Sequence, residues 1–222
     1  MRALLFTPGS PFARAVRIVL HELDLDYERR EQSGWETAEE RARSTPTLQV
    51  PTFWDGDLVL WDSELICGYL LATYPRRGEE RPALAPALTR PGQDWRDGLV
   101  MATIRNLGVA VTTVSQLTWT GVTPRDNAHA RRCADRLPHC LDWLEGELAA
   151  EGEGFLPGTL SLQDIFLGCL IRFLQNRPLG LDAELHRRPR IEALLEGLDR
   201  RDSFVATAIE WWSPDGAPKP RR

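Results

Sequence analysis

Two classes of structure are predicted in succession along this chain: a small α/β layer within the first 75 residues, and an all-α half beyond about residue 91. Three observations predict this. The opening segment reads strand, helix, strand, then helix, hairpin and helix; prolines 75, 82, 86 and 91 follow among charges; and apolar residues recur at three- and four-residue steps through most of the remainder.

Residues 4–6 read as a short buried strand. Thr7-Pro8-Gly9-Ser10-Pro11 then turns the chain into a helix, with Ser10 at the N-cap and Pro11 at the first helical position. Val16, Val19, Leu20 and Leu23 carry the helix to about Asp24, and a second strand is expected over 27–31. A weaker helical stretch spans 35–43. Pro46 and Pro51 exclude a helix from the segment after it, and strands are expected at 52–54 and 58–61 around the turn Asp55-Gly56-Asp57. Ser63 opens the last helix of this half, closing near Pro75.

Beyond the proline-rich stretch a long helix is expected over 95–117, although Val109, Val111, Thr112, Thr113 and Val114 are poor helix formers and need burial to hold them. Thr123-Pro124 repeats the cap-then-proline signal before a helix over 128–149, which Pro138 is expected to kink. Ser161 and Asp164 form a capping box, with Leu160 and Ile165 placed to clamp the helix entry, and Pro178 closes that helix. Shorter helices are expected at 189–196 and 202–211.

Net charge −5 argues against nucleic acid as a partner. The apolar start is too short for a signal-peptide core or a membrane span, so a cytoplasmic protein without membrane attachment is expected. Cys67, Cys133, Cys140 and Cys169 have no C-x-x-C spacing and do not cluster with the four histidines, so no metal site is expected. Cys133 and Cys140 share a helix face and read as core thiols rather than as a redox pair.

Three segments together resemble the glutathione S-transferase family. They are Gly9-Ser10-Pro11-Phe12-Ala13-Arg14-Ala15-Val16-Arg17; Val50-Pro51 followed by the hairpin and Asp62-Ser63-x-x-Ile66; and Phe155-Leu156 through Ser161-x-x-Asp164. The resemblance, to bacterial-type cytosolic members that use a serine, implies a thioredoxin-like glutathione-binding domain over 1–77, a linker over 78–90 and an all-helical bundle domain over 91–222. It implies glutathione as co-substrate, no metal, a small hydrophobic electrophile as second substrate, and a homodimer joined through the helix beginning at Ser63 and the long helix after the linker.

The same resemblance assigns roles. Ser10 is expected to stabilise the thiolate, because its hydroxyl can donate to sulfur where the positive end of a helix dipole favours an anion. Thr7 is a competing hydroxyl. Val50, before a cis Pro51, is expected to pair with the cysteinyl backbone of glutathione as a strand would. Asp62 and Ser63 are expected to hold the γ-glutamyl ammonium and carboxylate, with Phe12 and Gln49 completing the glutathione site. Phe12 stands where many relatives have Tyr, Ala15 where many have Lys, and Gln49 at a position often held by Lys, so this site has less charge than is usual. Phe12, Leu107, Val111, Val114 and Trp119 are candidates for the second-substrate pocket, and Trp211-Trp212 either cover it or dock as a closing patch. Whether Arg14 or Arg105 points into the cleft stays open. The alternative function is a non-catalytic interaction protein on the same scaffold.

Overall fold

The computed structural model describes residues 1–32, 36–74, 83–85, 92–177 and 179–209. Its first half is built around β1 (Arg2–Phe6), whose last four residues are buried, as a strand covered on both faces requires. β2 (Glu28–Glu31) pairs with it in parallel, β3 (Thr52–Asp55) pairs antiparallel on the other side, and β4 (Leu58–Trp61) completes the order β2-β1-β3-β4. Gly56, at φ 59°, lets the β3–β4 hairpin turn tightly. The β2 edge is charged throughout, with Arg29–Glu31 and Arg30–Glu28 ion pairs along it, which discourages pairing with another chain.

α1 (Pro11–Glu22) begins at Ser10 as expected, and α3 (Ser63–Thr73) packs beside it. α2 (Ala38–Ala42) is shorter than the predicted stretch; a Thr37–Glu40 capping box sets its start, while residue 35 lies outside the described residues. The second half consists of α4 (Asp94–Trp119), α5 (Ala128–Glu147), α6 (Leu162–Gln175), α7 (Pro189–Asp199) and α8 (Asp202–Ala206). A thioredoxin-like sheet layer followed by a helical bundle is therefore the architecture.

α4 is long and apolar enough to cross a membrane by length and composition, yet half of its most apolar stretch is buried inside the protein. Burial of Val100, Ile104, Leu107, Val111 and Val114 holds its β-branched segment helical. The hydroxyls of Thr103, Thr112 and Thr118 donate back to the carbonyls one turn earlier, at 2.8 Å in each case.

Three expectations are corrected. α5 is capped by Asn127, whose side chain accepts from the His129 and Ala130 N–H groups; Thr123 instead donates through its N–H and hydroxyl to Asp126, forming a turn before the helix. The proline-rich stretch contains a strand, β5 (Ala83–Ala85), paired in parallel with β6 (Thr159–Ser161), so the connection is stitched to the second half. α8 stops at Ala206, and Trp211 and Trp212 lie outside the described residues, as does Pro178. α5 continues as one helix through Pro138.

The capping box forms a compact, buried polar cluster in the helical half. Asp164, 1% exposed, accepts from the Phe155 N–H at 2.9 Å and from the Ser161 N–H and hydroxyl at 2.8 and 2.7 Å. Its own N–H donates to Ser161 Oγ at 3.1 Å. Gly154, at φ 78°, passes so close that a Cβ there would lie 2.6 Å from the carboxylate. Burial pushes the Asp164 carboxyl up to about 6, against the pull of those donated bonds.

Asp164→Ala is expected to lower unfolding free energy by about 2–4 kcal/mol in urea titrations, because the cap is lost and two buried N–H groups lose their acceptor. The pH dependence has a definite sign. With a folded pKa of about 6 against an ordinary 3.8, this group's stabilisation is whole below pH 3.8 and is lost as pH rises through 6. The loss amounts to about 3 kcal/mol, and Asp164→Asn should flatten the urea midpoint across that window.

Candidate functional site

The short connection from β1 into α1 delivers the first polar group of the site. The Ser10 N–H donates to the Thr7 carbonyl at 2.9 Å, closing a turn, and Ser10 Oγ accepts from the Ala13 N–H at 3.2 Å. Pro11 brings no N–H, so Ser10 satisfies the start of the helix while its own O–H proton remains to donate outward. Ser10 is half-buried at the wall of a cavity of about 230 Å³, which is also lined by Thr7, Gly9, Phe12, Gln49 and Val50.

The Val50–Pro51 peptide bond is cis, and Val50 lines this cavity and a second one beside it. The loop leading there is held by its own hydroxyls. Thr45 and Thr47 share a 2.9 Å hydrogen bond, and Arg41 of α2 donates to the Leu48 carbonyl at 3.1 Å. Leu48 stands at φ 58°, an uncommon conformation for a branched apolar residue.

The second cavity, about 280 Å³, is lined by Gln49, Val50, Pro51, Asp62, Ser63 and Glu64 on one side and by α4 on the other. Asp62 caps α3, accepting from the Leu65 N–H at 3.0 Å, and does so at φ 74°. Such a backbone costs about 1–3 kcal/mol and is typically found where a site requires it. Ser63, 7% exposed, is the first residue of α3. Glu64 sits 3.5 Å from Arg105 of α4; its carboxyl is raised, chiefly by burial, with Arg105 opposing and Asp62 adding to the shift.

All seven predicted site residues, Ser10, Phe12, Gln49, Val50, Pro51, Asp62 and Ser63, thus line one or both of two adjoining cavities that share Phe12, Gln49, Val50, Thr112 and Gln116 as common wall. The second-substrate candidates fare differently. Phe12 and Trp119 line the first cavity, but Leu107, Val111 and Val114 are turned into the core. α4 presents Arg105, Val109, Thr112 and Gln116 instead, one residue out of phase with the apolar set, so this wall is more polar than the sequence suggested. Arg105 lines the cleft; Arg14 is 4% exposed and donates to the Phe204 carbonyl at 3.0 Å on the other side of α1.

Sequence reasoning missed Phe173 and Arg177, which reach the first cavity from α6 and the residues after it. Nothing local marks them, since they sit more than 160 positions from Ser10. The α4 phase could have been found by fixing its buried face first. Another opening of about 300 Å³, lined by His21, Glu22 and residues 200–203, lies at the far end of α1 from Ser10. Among the described residues no cluster of His, Cys, Asp or Glu could hold a metal.

Comparison with known proteins aligns with this geometry. A family model described as glutathione S-transferase, N-terminal domain, matches residues 4–81, and one described as glutathione S-transferase, C-terminal domain, matches residues 127–197. No curated protein matches the sequence significantly. The fold is similar to a glutathione S-transferase from Methylobacterium radiotolerans in complex with glutathione sulfonate, at TM-score 0.77 and 21% identity, covering 93% of each chain. It is also similar to one from Methylobacillus flagellatus with glutathione bound, at TM-score 0.73 and 22% identity over 94% of this chain and 99% of the other. A Sulfitobacter homologue with bound glutathione aligns at TM-score 0.73 and 20% identity, over 93% and 96%.

The common wall depends on a close approach. A Cβ at Gly108 of α4 would lie 2.8 Å from Phe12 Cζ and 3.0 Å from a Leu170 methyl. Gly108→Ala is expected to push the Phe12 ring toward the cleft and to cost about 1–3 kcal/mol by overpacking. A crystal structure of the variant with the ring displaced, together with a lowered urea midpoint, checks this.

Proposed function

Because the chain belongs to the glutathione S-transferase family, matched in both of its halves, we propose that it binds glutathione across the two adjoining cavities and directs the thiolate at a small electrophile. The observation that carries the reading is the convergence of Ser10, Val50, Asp62 and Ser63 on those cavities from three separate stretches of chain.

In this reading the tripeptide extends from Asp62 and Ser63, past Val50 and Gln49, to put its sulfur at Ser10. The Asp62 carboxylate receives the γ-glutamyl ammonium, and the start of α3 at Ser63 receives the carboxylate beside it. Val50 offers its backbone to the cysteinyl residue, and Gln49 donates without a full charge. A free thiol has a pKa near 8.5 and is mostly protonated at neutral pH. A hydroxyl proton and the positive end of α1 favour its ionised form, the proton leaving to solvent.

The thiolate then attacks the electrophilic carbon. A sulfur–carbon bond forms, and the leaving group departs with its electron pair or, in an addition, the acceptor takes up a proton. Holding both reactants in one cleft contributes to the rate enhancement by making the step effectively unimolecular. Phe12, Trp119 and Phe173 suit an apolar body, while Thr112, Ser115 and Gln116 suit a hydrogen-bonding substituent on it. The proposed setting is the cytoplasm, where thiols stay reduced; the four cysteines are free.

The test is binding to immobilised glutathione, followed by thiolate absorbance near neutral pH. Native protein should bind and show the band, and Ser10→Ala should weaken it with a ten- to hundredfold loss of conjugation rate, about 1.4–2.8 kcal/mol of transition-state stabilisation. No binding at millimolar glutathione supports the non-catalytic interaction protein instead.

A homodimer is proposed through α3 and α4, whose outer faces expose Leu65, Trp95 and Leu99 at 57%, 90% and 55%. An isologous two-fold contact would cover them. Light scattering at micromolar concentration should give twice the monomer mass of 25.1 kDa, and Leu99→Glu should shift it toward monomer.

A further inference from the structure

We propose that Arg177 is a positioning residue for the serine loop, holding residues 7–10 in place and lending its charge to the anion bound there. The inference rests on the glutathione reading and deepens it, naming what sets the acidity of the bound thiol.

Arg177 follows α6 and is 7% exposed, yet it lines the same cavity as Ser10. Its Nη2 donates to the Gly9 carbonyl at 3.1 Å, Nη1 donates to the Asn176 side chain at 3.2 Å, and the guanidinium lies 4.7 Å from the Phe173 ring centroid. The helical half therefore grips the catalytic loop one residue before its serine.

A hydrogen bond to a carbonyl does not require a cation. Burial lowers the Arg177 pKa to about 10, which still leaves a cation at neutral pH. The geometry therefore adds a positive charge to the wall at which the thiolate is proposed to form, and the two attract more strongly the less water lies between them.

The surroundings agree in sign. The charged residues lining the Ser10 cavity, among those described, are Arg177 and Arg41, the latter lying 3.6 Å from Glu36. The carboxylates of Asp62 and Glu64 line the adjoining cavity with Arg105. Arg14, one turn into α1, is directed to Phe204 and away from the cleft. Both charged side chains that line the Ser10 cavity, among the described residues, are thus arginines.

Glutathione complexes of native protein and of Arg177→Gln, Arg177→Met and Arg177→Lys, titrated by thiolate absorbance against pH, test this. Gln keeps an amide donor for Gly9, Met keeps bulk alone, and Lys keeps the charge. The thiol midpoint is expected to rise by about one unit in the Gln and Met variants, a tenfold loss of thiolate below the midpoint, and to return near the native value in Lys. Glutathione affinity should change by less than about threefold, the ligand's other contacts being intact.

A merely structural lock would lower melting temperatures and leave every thiol midpoint where it was, which overturns the proposal alone. Failure of the native protein to bind glutathione overturns the functional reading as well. Two neutral side chains of different shape keep the test decidable should one variant fail to fold.

Discussion

Burying a helix on two faces removes nearly all of it from water, and every polar side chain it carries must then find a partner within the protein. In α1 every residue but Phe12 and His21 is buried, with α3, α6 and α8 packed against it. Its long polar residues bridge outward. Arg14 reaches the Phe204 carbonyl, Arg17 lies over the Phe6 ring at 4.7 Å, and Glu22 accepts twice from Arg201 and once from Ser203. These contacts fix α8 on α1. A rigid twelve-residue helix then carries that placement to its other end, where Ser10 meets the cleft.

Much of this was legible because its signals are local. Ser10-Pro11, Asp55-Gly56 and Ser161-x-x-Asp164 are instructions about backbone donors and turn geometry that act within four residues, and each operates where it was read. What stayed illegible depends on distant pairing. β5 exists because three residues of a proline-rich stretch find β6 more than 70 positions later. At the start of α5 the cap is Asn127 rather than the expected Thr123, which donates through its hydroxyl and N–H to Asp126. On α4 the apolar residues were assigned to the pocket when the core needed them, since Leu107, Val111 and Val114 follow the period that packs against neighbouring helices.

Of the four non-glycine residues with positive φ among those described, Asp24, Leu48, Asp62 and Glu184, two border the cleft. Leu48 and Asp62 have positive φ, and they flank, in sequence, Gln49, Val50 and Ser63. Other parts of the same loops are tied down: Thr45 to Thr47, the Leu48 carbonyl to Arg41, the Asp62 side chain to the Leu65 N–H. Strain persists only when its surroundings over-determine it. A loop held this way presents backbone groups at fixed positions before any ligand arrives, which reduces the ordering cost of binding.

The chain's own thiols sharpen the chemical reading. No cysteine lines either cavity. Burial pushes Cys169 up to about 11 and raises Cys67 well above its ordinary value, so neither is a thiolate at neutral pH. The cleft therefore combines a hydroxyl donor, a helix N-terminus and a buried cation, an arrangement suited to hold an anion, without supplying a cysteine nucleophile of its own. Under the proposed function the reacting sulfur is one that arrives with the ligand. The polarity on α4 then bears on the partner it meets, because Thr112 and Gln116 stand on the wall shared by both cavities, between the place proposed for the thiol and the room left for an electrophile.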